Sequence, residues 1–377
     1  MKLWLDLETY SAVPIASGTH AYAAGAEVML FAWAIDDGPV SVWDCTAEEA
    51  GRANEMWDAM RDPSTELWAH NSGFDRTMLA HCTNRNALMQ CAGLEPHRWR
   101  DTMVQAMAHS LPGGLGALCE VLQVPQDQAK DKEGKQLIHL FCKPRPAGSK
   151  IARATRETHP AEWAKFVAYA ALDIEAMREC HRRMPTWNYP GNRLAGGAGW
   201  REVCLWHLDQ RINDRGVAID TQLVHAAIAA VATEQARLSK VTHDMTGGQV
   251  ASATQRDALL AHVLEAYGVD LPDLQASTLE RRVADQDLPP ELRDLLAVRL
   301  QASTASVAKY KALARGTSAD GRLRGTLQFN GAARTGRWAG RLVQPQNIAR
   351  GTVHGDMLEV GIEALKAGAA DLICKEA

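Results

Sequence analysis

The first half of the chain alternates short apolar segments with segments of helical periodicity. Residues 2–9, 28–35 and 40–43 have strand-like patterns, and an Asp-Gly step within 36–39 is a strong hairpin signal between the last two. Residues 67–70 form a fourth short apolar run. Because strands and helices alternate in this way, the pattern predicts a sheet flanked by helices.

Helical patterns follow these apolar runs. We expect helices after Gly73, after Asp101 acting as an N-cap, over 115–122, and over a long stretch from 160 to 184. Two Gly-rich and Pro-rich segments within 188–199 then indicate a domain boundary. The predicted domains are therefore residues 1–187 and 198–377.

The second half is predicted to be mainly helical. Its expected features are an extended piece at 216–219, an N-cap at Asp220, helices to about 314, a strand-like pattern at 321–331 and a last helix at 356–367.

Length and composition fit a globular protein of two domains. A chain of 377 residues exceeds what one hydrophobic core usually holds, and the 46% of hydrophobic residues is ordinary for a globular protein. We expect no membrane segment and no signal peptide, because no apolar run is long enough and Asp6 and Glu8 interrupt the N-terminus. We expect a cytoplasmic protein without zinc, since the eight cysteines form no zinc-site spacing.

Charge is distributed unevenly along the chain, although the net charge is only −4. Residues 1–60 contain ten acidic residues and two basic ones, whereas residues 301–350 contain nine basic residues and one acidic one. This asymmetry favours an acidic end that collects metal ions and a basic end that binds phosphates, but a basic stretch is often only a solvated face.

Two acidic side chains lie on the same face of the first predicted strand. Alternation along residues 2–9 places Asp6 and Glu8 on one face and the leucines on the other. Carboxylates in an otherwise apolar strand are costly unless a cation compensates them. The pair alone is a weak signal, because acids near a strand end usually face solvent.

Two further segments supply groups of the same kind. Asp75 lies at a strand-to-helix junction within 71–75, where an acid in the first turn of a helix is also favoured by the dipole. Tyr169 and Asp173 are four residues apart on the long helix and therefore share a face. Together, these acids predict one site.

Four carboxylates are the ligands that hard divalent cations prefer. Mg²⁺ or Mn²⁺ binds oxygen ligands, and two such ions can stabilise both the attacking and the leaving oxygen in phosphodiester hydrolysis. Tyr169, whose unperturbed pKa is near 10, is better suited to orient a water molecule than to act as a general base.

These three segments resemble the three exonuclease motifs of the DEDD superfamily, tyrosine subclass, found in the proofreading domains of family A DNA polymerases. The resemblance implies an α/β RNase H-like fold with a mixed five-stranded sheet and flanking helices. It also implies that Asp6, Glu8 and Asp173 bind one metal ion and that Asp6 binds a second. In that family Asp75 would act through water held by the metal, and Tyr169 would position the nucleophile. Asn71 and Phe74 are predicted to bind DNA.

The second half resembles the thumb-to-palm segment of family A polymerases, most closely the bacteriophage type. Residues 326–348 carry this resemblance, and 206–220 resemble the start of the polymerase body. It implies a mainly helical thumb with an incomplete palm that grips the primer-template duplex. The implied DNA-binding residues are Arg334, Thr335, Arg337, Gln344, Gln346 and Asn347.

The polymerase's own catalytic acids are not recognisable after Ile348, so we expect no polymerase activity from this chain alone. The resemblance then implies a second polypeptide with palm and fingers, or a truncated polymerase. Two other interpretations stay open: a DNA-binding scaffold subunit with little nuclease activity, and an RNA-trimming exonuclease of the same superfamily. A Pro-rich basic loop at 143–150 is predicted either to touch a nucleic-acid backbone or to be a flexible connector.

Overall fold

The computed structural model describes residues 1–47, 54–84, 94–125, 134–146, 148–187, 202–303, 307–332, 335–347, 351 and 353–369. The chain divides into two compact units. Unit 1 comprises Met1–Ile219 with Arg315–Ile348, and unit 2 comprises Asp220–Ala314 with Ala349–Ala377. None of the described helices is long and apolar enough to cross a lipid bilayer.

Unit 1 is built on a mixed five-stranded sheet. Its strands are β1 (Lys2–Ser11), β2 (Ala26–Ile35), β3 (Ser41–Asp44), β4 (Glu66–Ala69) and β5 (Trp99–Asp101). The order across the sheet is β3-β2-β1-β4-β5, so the first strand of the chain is central. β1 pairs antiparallel with β2 and parallel with β4. The predicted mixed five-stranded sheet with flanking helices is therefore confirmed.

Helices cover this sheet and continue beyond it. They are α1 (Thr19–Ala24), α2 (Asn54–Arg61), α3 (Ser72–His81), α4 (Thr102–Ala108), α5 (Leu115–Val121), α6 (Gly134–Phe141), α7 (Pro160–Arg183) and α8 (Glu202–Arg215). Single 3₁₀ turns occur at Ile15–Ser17, Pro96–Arg98 and Pro345–Asn347. Two short antiparallel pairs complete the unit, β6 (Val217–Ala218) with β7 (Arg322–Leu323) and β8 (Leu327–Ala332) with β9 (Arg337–Gly340).

The central strand is buried on both faces. Leu3, Leu5 and Leu7 are at most 5% exposed on one face, and Trp4 on the other is 4% exposed. The face with Trp4 packs against α7, because the Trp4 and His181 ring centroids are 5.4 Å apart. α7 therefore covers the face of β1 that also carries Asp6 and Glu8.

Unit 2 is helical in the part that the structure describes. Its helices are α9 (Thr221–Met245), α10 (Arg256–Tyr267), α11 (Ala276–Val283), α12 (Pro290–Ser303), α13 (Val307–Gly316, which crosses the unit boundary) and α14 (Asp356–Lys366). Val250, Leu259, Val263 and Leu296 form its main core, each fully buried. α14 packs against α9, and Lys366 Nζ lies 2.8 Å from Asp220 Oδ2.

The two predicted caps are found as expected. Asp101 accepts hydrogen bonds from the backbone N–H groups of Met103 and Val104, and Asp220 accepts one from that of Leu223. The units do not coincide with the predicted domains 1–187 and 198–377, because α8 and residues 315–348 group with the sheet. The assignment of exonuclease and polymerase roles to those two ranges stays a prediction.

Candidate metal centre

The strand β1 delivers two carboxylates to the surface under α7. Glu8 is 8% exposed, and Asp6 is half-buried. The register between β1 and β2 shifts between Glu8 and Thr9. Such irregularities are enriched next to active sites, where they change the direction of a side chain.

Asp173 on α7 completes a group of three carboxylates. One oxygen from each of Asp6, Glu8 and Asp173 lies within 4.8 Å of the others. This grouping arises because α7 packs along β1. Asp173 lies beside Asp6 and Glu8. Two turns further along the helix, His181 packs against Trp4. The structure thus brings together residues that are more than 160 positions apart in sequence.

Tyr169 lies one turn before Asp173 on the same helix. Its side chain is 2% exposed, and its pKa is raised far above the usual value by burial first and then by the carboxylates of Asp173 and Glu8. The phenol therefore keeps its proton at working pH. This state suits a group that orients another molecule by hydrogen bonding and not a group that removes a proton.

Gly134, the first residue of α6, packs flat against the ring of Tyr169. A Cβ atom built on Gly134 would lie 2.1 Å from Cε2 and 2.6 Å from Cδ2 of the tyrosine. No side chain can occupy this position while Tyr169 stays where it is. The sequence analysis did not identify Gly134, because no local pattern shows that the two segments meet.

Asp75, in the first turn of α3, is 2% exposed and is not one of the three grouped carboxylates. Its pKa is raised well above the usual value, first by burial and then by the negative charges of Asp6 and Asp101. A hydrogen bond from the backbone of Leu7, on β1, lowers the pKa of Asp75. Asp75 therefore belongs to the same electrostatic site as Asp6.

Asp101 fixes the start of α3. Its carboxylate accepts hydrogen bonds from the backbone N–H groups of Asn71 (3.0 Å) and Ser72 (2.8 Å) and from the Ser72 hydroxyl (3.1 Å), in addition to capping α4. The parallel pairing of β4 with β5 brings Asp101 opposite the end of β4. Asp101 thereby positions the helix that carries Asp75, a role beyond the predicted N-cap.

Cys142 contacts the metal-binding candidates from the end of α6. Its Sγ lies 3.6 Å from Glu8 Oε2, so the thiol donates a weak hydrogen bond to this carboxylate. Burial and the charge of Glu8 raise the pKa of Cys142 well above its usual value. The residue therefore remains a neutral thiol and helps to hold Glu8 in place.

The donor set fits a hard divalent cation. All candidate ligands are carboxylate oxygens, which Mg²⁺ and Mn²⁺ prefer, and the sulfur in contact with them is a protonated thiol. Burial raises the pKa of Asp75 first and the charge of Asp6 raises it further, so negative charge is concentrated at this place. A cation would compensate this charge.

A cleft of about 570 Å³ lies in unit 1 beside the start of α3. Asn71 and Phe74, predicted to contact DNA, both line it. Asn71 has a left-handed backbone (φ 70°), which asparagine tolerates better than most residues, so the turn alone accounts for an asparagine there. Trp206, Asp209 and Phe329 line the same cleft.

The other predicted DNA-binding residues follow β8. Thr335 and Arg337 are exposed, as are Gln344, Gln346 and Asn347 near the last 3₁₀ turn. Asn347 donates a hydrogen bond to Gln344 Oε1 at 2.7 Å. Arg334 lies outside the described residues. An exposed position is compatible with DNA contact, and the assignment of all six stays a prediction.

Asp209 is a buried carboxyl in the cleft that the sequence analysis did not identify. Its Oδ1 accepts a hydrogen bond from Trp338 Nε1 at 2.7 Å, and its Oδ2 accepts one from Asn213 Nδ2 at 3.1 Å. Burial raises the pKa of Asp209 to about 6, which outweighs the effect of these donors. This carboxyl connects β9 to α8.

We expect Asp209 to make folding stability depend on pH. Between roughly pH 4 and pH 6 the folded protein keeps a proton on Asp209 that the unfolded chain releases, so this group's contribution falls by about 1.4 kcal/mol per pH unit as pH rises. Asp209→Asn removes this slope. Denaturant unfolding of the wild type and of Asp209→Asn between about pH 4 and about pH 6 measures the free energy of unfolding at each pH. The same pH dependence of this free energy in both proteins would contradict the assignment.

Comparison with known proteins gives one curated relative. A DNA polymerase of Bacillus phage SP02 is 35% identical over 372 residues, which cover 97% of this chain and 54% of that polymerase. The chain therefore spans about half the length of this relative. No protein-family model matches the chain. The resemblance to a phage DNA polymerase that the motifs predicted is confirmed.

Among solved structures, the polymerase domain of Pol1 from M. smegmatis, in complex with DNA primer-template and dNTP, aligns with 92% of this chain and 53% of that chain. The TM-score is 0.49 and the identity 14%. At this TM-score and identity, the fold is described from the chain's own strand order alone.

Proposed function

We propose that this relative of a phage DNA polymerase removes nucleotides from the 3′ ends of DNA in a metal-dependent hydrolysis of the proofreading type. One observation carries the proposal: carboxylate oxygens of Asp6, Glu8 and Asp173 lie within 4.8 Å of one another, next to Tyr169 and Asp75. The likeness to a polymerase supports DNA as the substrate, because proofreading requires a nuclease beside DNA synthesis.

Two divalent cations, Mg²⁺ or Mn²⁺, are part of the proposal. Asp6, Glu8 and Asp173 would hold one, and Asp6 would also contact the second, with Asp75 nearby. Such ions, when bound, supply charge stabilisation for the attacking and leaving oxygens of the phosphodiester. The remaining chemistry depends on how the chain's own residues orient the substrate and the water.

The protein residues would act by position. Tyr169 keeps its proton and therefore donates a hydrogen bond, which can orient the attacking water or the terminal phosphate. Gly134 leaves room for the tyrosine ring, Cys142 holds Glu8, and Asp101 fixes the start of the helix that carries Asp75. None of these residues needs to form a covalent bond with the substrate.

The fold and the remaining parts of the chain enter the proposal by analogy. We assign the mixed sheet of unit 1 to an RNase H-like exonuclease fold, and residues 198–377 to a polymerase thumb and incomplete palm. Thr335, Arg337 and Gln344 and the neighbouring candidates would then contact duplex DNA. Both assignments rest on the motif resemblance and on the relation to a phage polymerase.

A second polypeptide with palm and fingers is the proposed partner. On α14, Met357, Leu358 and Val360 are 59%, 47% and 65% exposed. Exposed apolar residues in a group often mark a protein interaction surface. This feature also supports the second candidate function, a DNA-binding scaffold subunit of a split polymerase that has little nuclease activity.

Degradation of labelled oligonucleotides tests the proposal. A single-stranded DNA labelled at its 5′ end is expected to shorten stepwise with Mg²⁺ or Mn²⁺, and a 3′ label is expected to leave first; EDTA should stop both. An RNA of the same sequence should be degraded more slowly. Faster loss of the RNA would support the RNA-trimming alternative, and duplex binding without degradation would support the scaffold.

A further inference from the structure

The segment after α6 is strongly basic. Residues 143–156 contain five cationic side chains and no acidic one. They are Lys143, Arg145, Lys150, Arg153 and Arg156. Such a segment can pair with acidic protein groups, bind a negatively charged ligand or face the solvent.

This segment begins at the metal centre. Cys142, directly before Lys143, lies with its Sγ 3.6 Å from Glu8 Oε2. Arg153, near the far end of the segment, also lies beside β1. The guanidinium carbon of Arg153 lies 3.8 Å from the ring centroid of Tyr10, and the charge of Arg153 lowers the pKa of Cys142. Both ends of the loop therefore lie beside the strand that carries Glu8.

Among the residues that the structure describes, acidic side chains pair only with the far end of the segment. Arg153 pairs with Glu27, and Arg156 pairs with Asp44 and Glu157. Lys143, Arg145 and Lys150 have no carboxylate partner among the residues that the structure describes. Lys143 and Lys150 are exposed, and Arg145 is half-buried. These three residues, the loop cations, carry positive charge in a loop that begins directly after Cys142, the neighbour of Glu8.

Two backbone hydrogen bonds order the described part of the loop around these charges. The backbone N–H of Arg145 donates to the carbonyl of Ala152 at 3.3 Å, and that of Ser149 donates to the carbonyl of Pro146 at 3.1 Å. Pro144 and Pro146 restrict φ on either side of Arg145. Ordered cations lose less conformational entropy on binding than those of a flexible connector.

We propose that the loop cations bind backbone phosphates of the single strand whose 3′ end enters the metal centre. This inference rests on the proposed function and adds the direction from which the strand arrives. A DNA strand with its 3′ end among the carboxylates would place its backbone phosphates near this site. Lysine and arginine side chains are the usual protein partners of phosphates. The loop cations would also offset the repulsion between those phosphates and the four carboxylates.

The test replaces the three loop cations together by glutamine (Lys143→Gln, Arg145→Gln, Lys150→Gln). With single-stranded DNA at about 0.15 M salt, KM is expected to rise roughly tenfold or more, with kcat within about threefold of wild type. The slope of log(kcat/KM) against log salt concentration should become less negative by about 2, since each phosphate contact on a single strand contributes about 0.7 to this slope. A matched control removes three exposed cations elsewhere, with Arg61→Gln, Lys240→Gln and Arg256→Gln.

A second readout separates this inference from the proposed function. Fluorescence anisotropy of a labelled single strand, with Ca²⁺ in place of Mg²⁺, measures binding without turnover, and the loop variant should bind more weakly than wild type and control. Equal affinity and equal salt dependence in loop variant and control would overturn the inference even where the nuclease is active. A wild type that binds but degrades nothing would instead refute the proposed function alone.

Discussion

Replacement of Asp6 by alanine is expected to lower the rate of 3′-nucleotide removal by roughly a thousandfold or more. Asp6 lies in the group of three carboxylates, and its charge adds to burial in raising the pKa of Asp75, so it acts on both parts of the site. Loss of charge stabilisation by a metal ion costs several kcal/mol, and about 1.4 kcal/mol corresponds to a factor of ten in rate. Initial rates on a 3′-labelled oligonucleotide at saturating metal concentration measure this effect.

The matched control is Asp58→Ala. Asp58 is an acidic residue of unit 1 whose side chain is 75% exposed, on α2, and it pairs only with Arg61 among the ion pairs of the described residues. We expect the rate of 3′-nucleotide removal by the Asp58→Ala variant to stay within about twofold of the wild-type rate. Retention of more than a tenth of the wild-type rate by a folded Asp6→Ala protein would exclude Asp6 from the reaction.

Replacement of Gly134 by alanine is expected to lower the rate about a hundredfold without removing any carboxylate. The new Cβ would lie 2.1 Å from the Tyr169 ring, so the tyrosine must move, and a displacement of about 1 Å in a positioning group can cost this factor. In an unobstructed helix the same substitution would stabilise the protein by roughly 0.5–1 kcal/mol. Steady-state rates and thermal unfolding are measured together.

Two further variants show that the effect passes through Tyr169. In a Tyr169→Ala background the clash disappears, so Gly134→Ala should cause no additional loss of rate, a non-additivity that a double-mutant cycle detects. Gly114→Ala is the control, because a Cβ added at Gly114 would have no atom within 4 Å. Additive losses in the double variant would mean that Gly134 affects activity by another route.

The carboxylates could be predicted because each lies in a regular local pattern. Strand alternation places Asp6 and Glu8 on one face, and helical spacing places Tyr169 and Asp173 on another. The structure adds that these two faces meet, since α7 covers the face of β1 with Trp4. Sequence alone reached this conclusion only through resemblance to a known family.

Other features arise from contacts between distant segments and leave no local signal. β5 has three residues, too few for a periodic pattern, yet its pairing with β4 places Asp101 beside Asn71 and Ser72. The grouping of β8 with unit 1 depends on Asn213, which exchanges two hydrogen bonds with the backbone of Leu327. Composition predicted a domain boundary within 188–199, a segment that lies outside the described residues, and this boundary stays a prediction.

Anomalous diffraction from crystals grown with Mn²⁺ and a short single-stranded DNA tests the central claim most directly. We expect two peaks about 3.5–4 Å apart, one between the carboxylates of Asp6, Glu8 and Asp173 and the other beside Asp6 and Asp75, with the 3′-terminal phosphodiester against them. Strong Mn²⁺ peaks elsewhere, with none among these four carboxylates, would contradict the account.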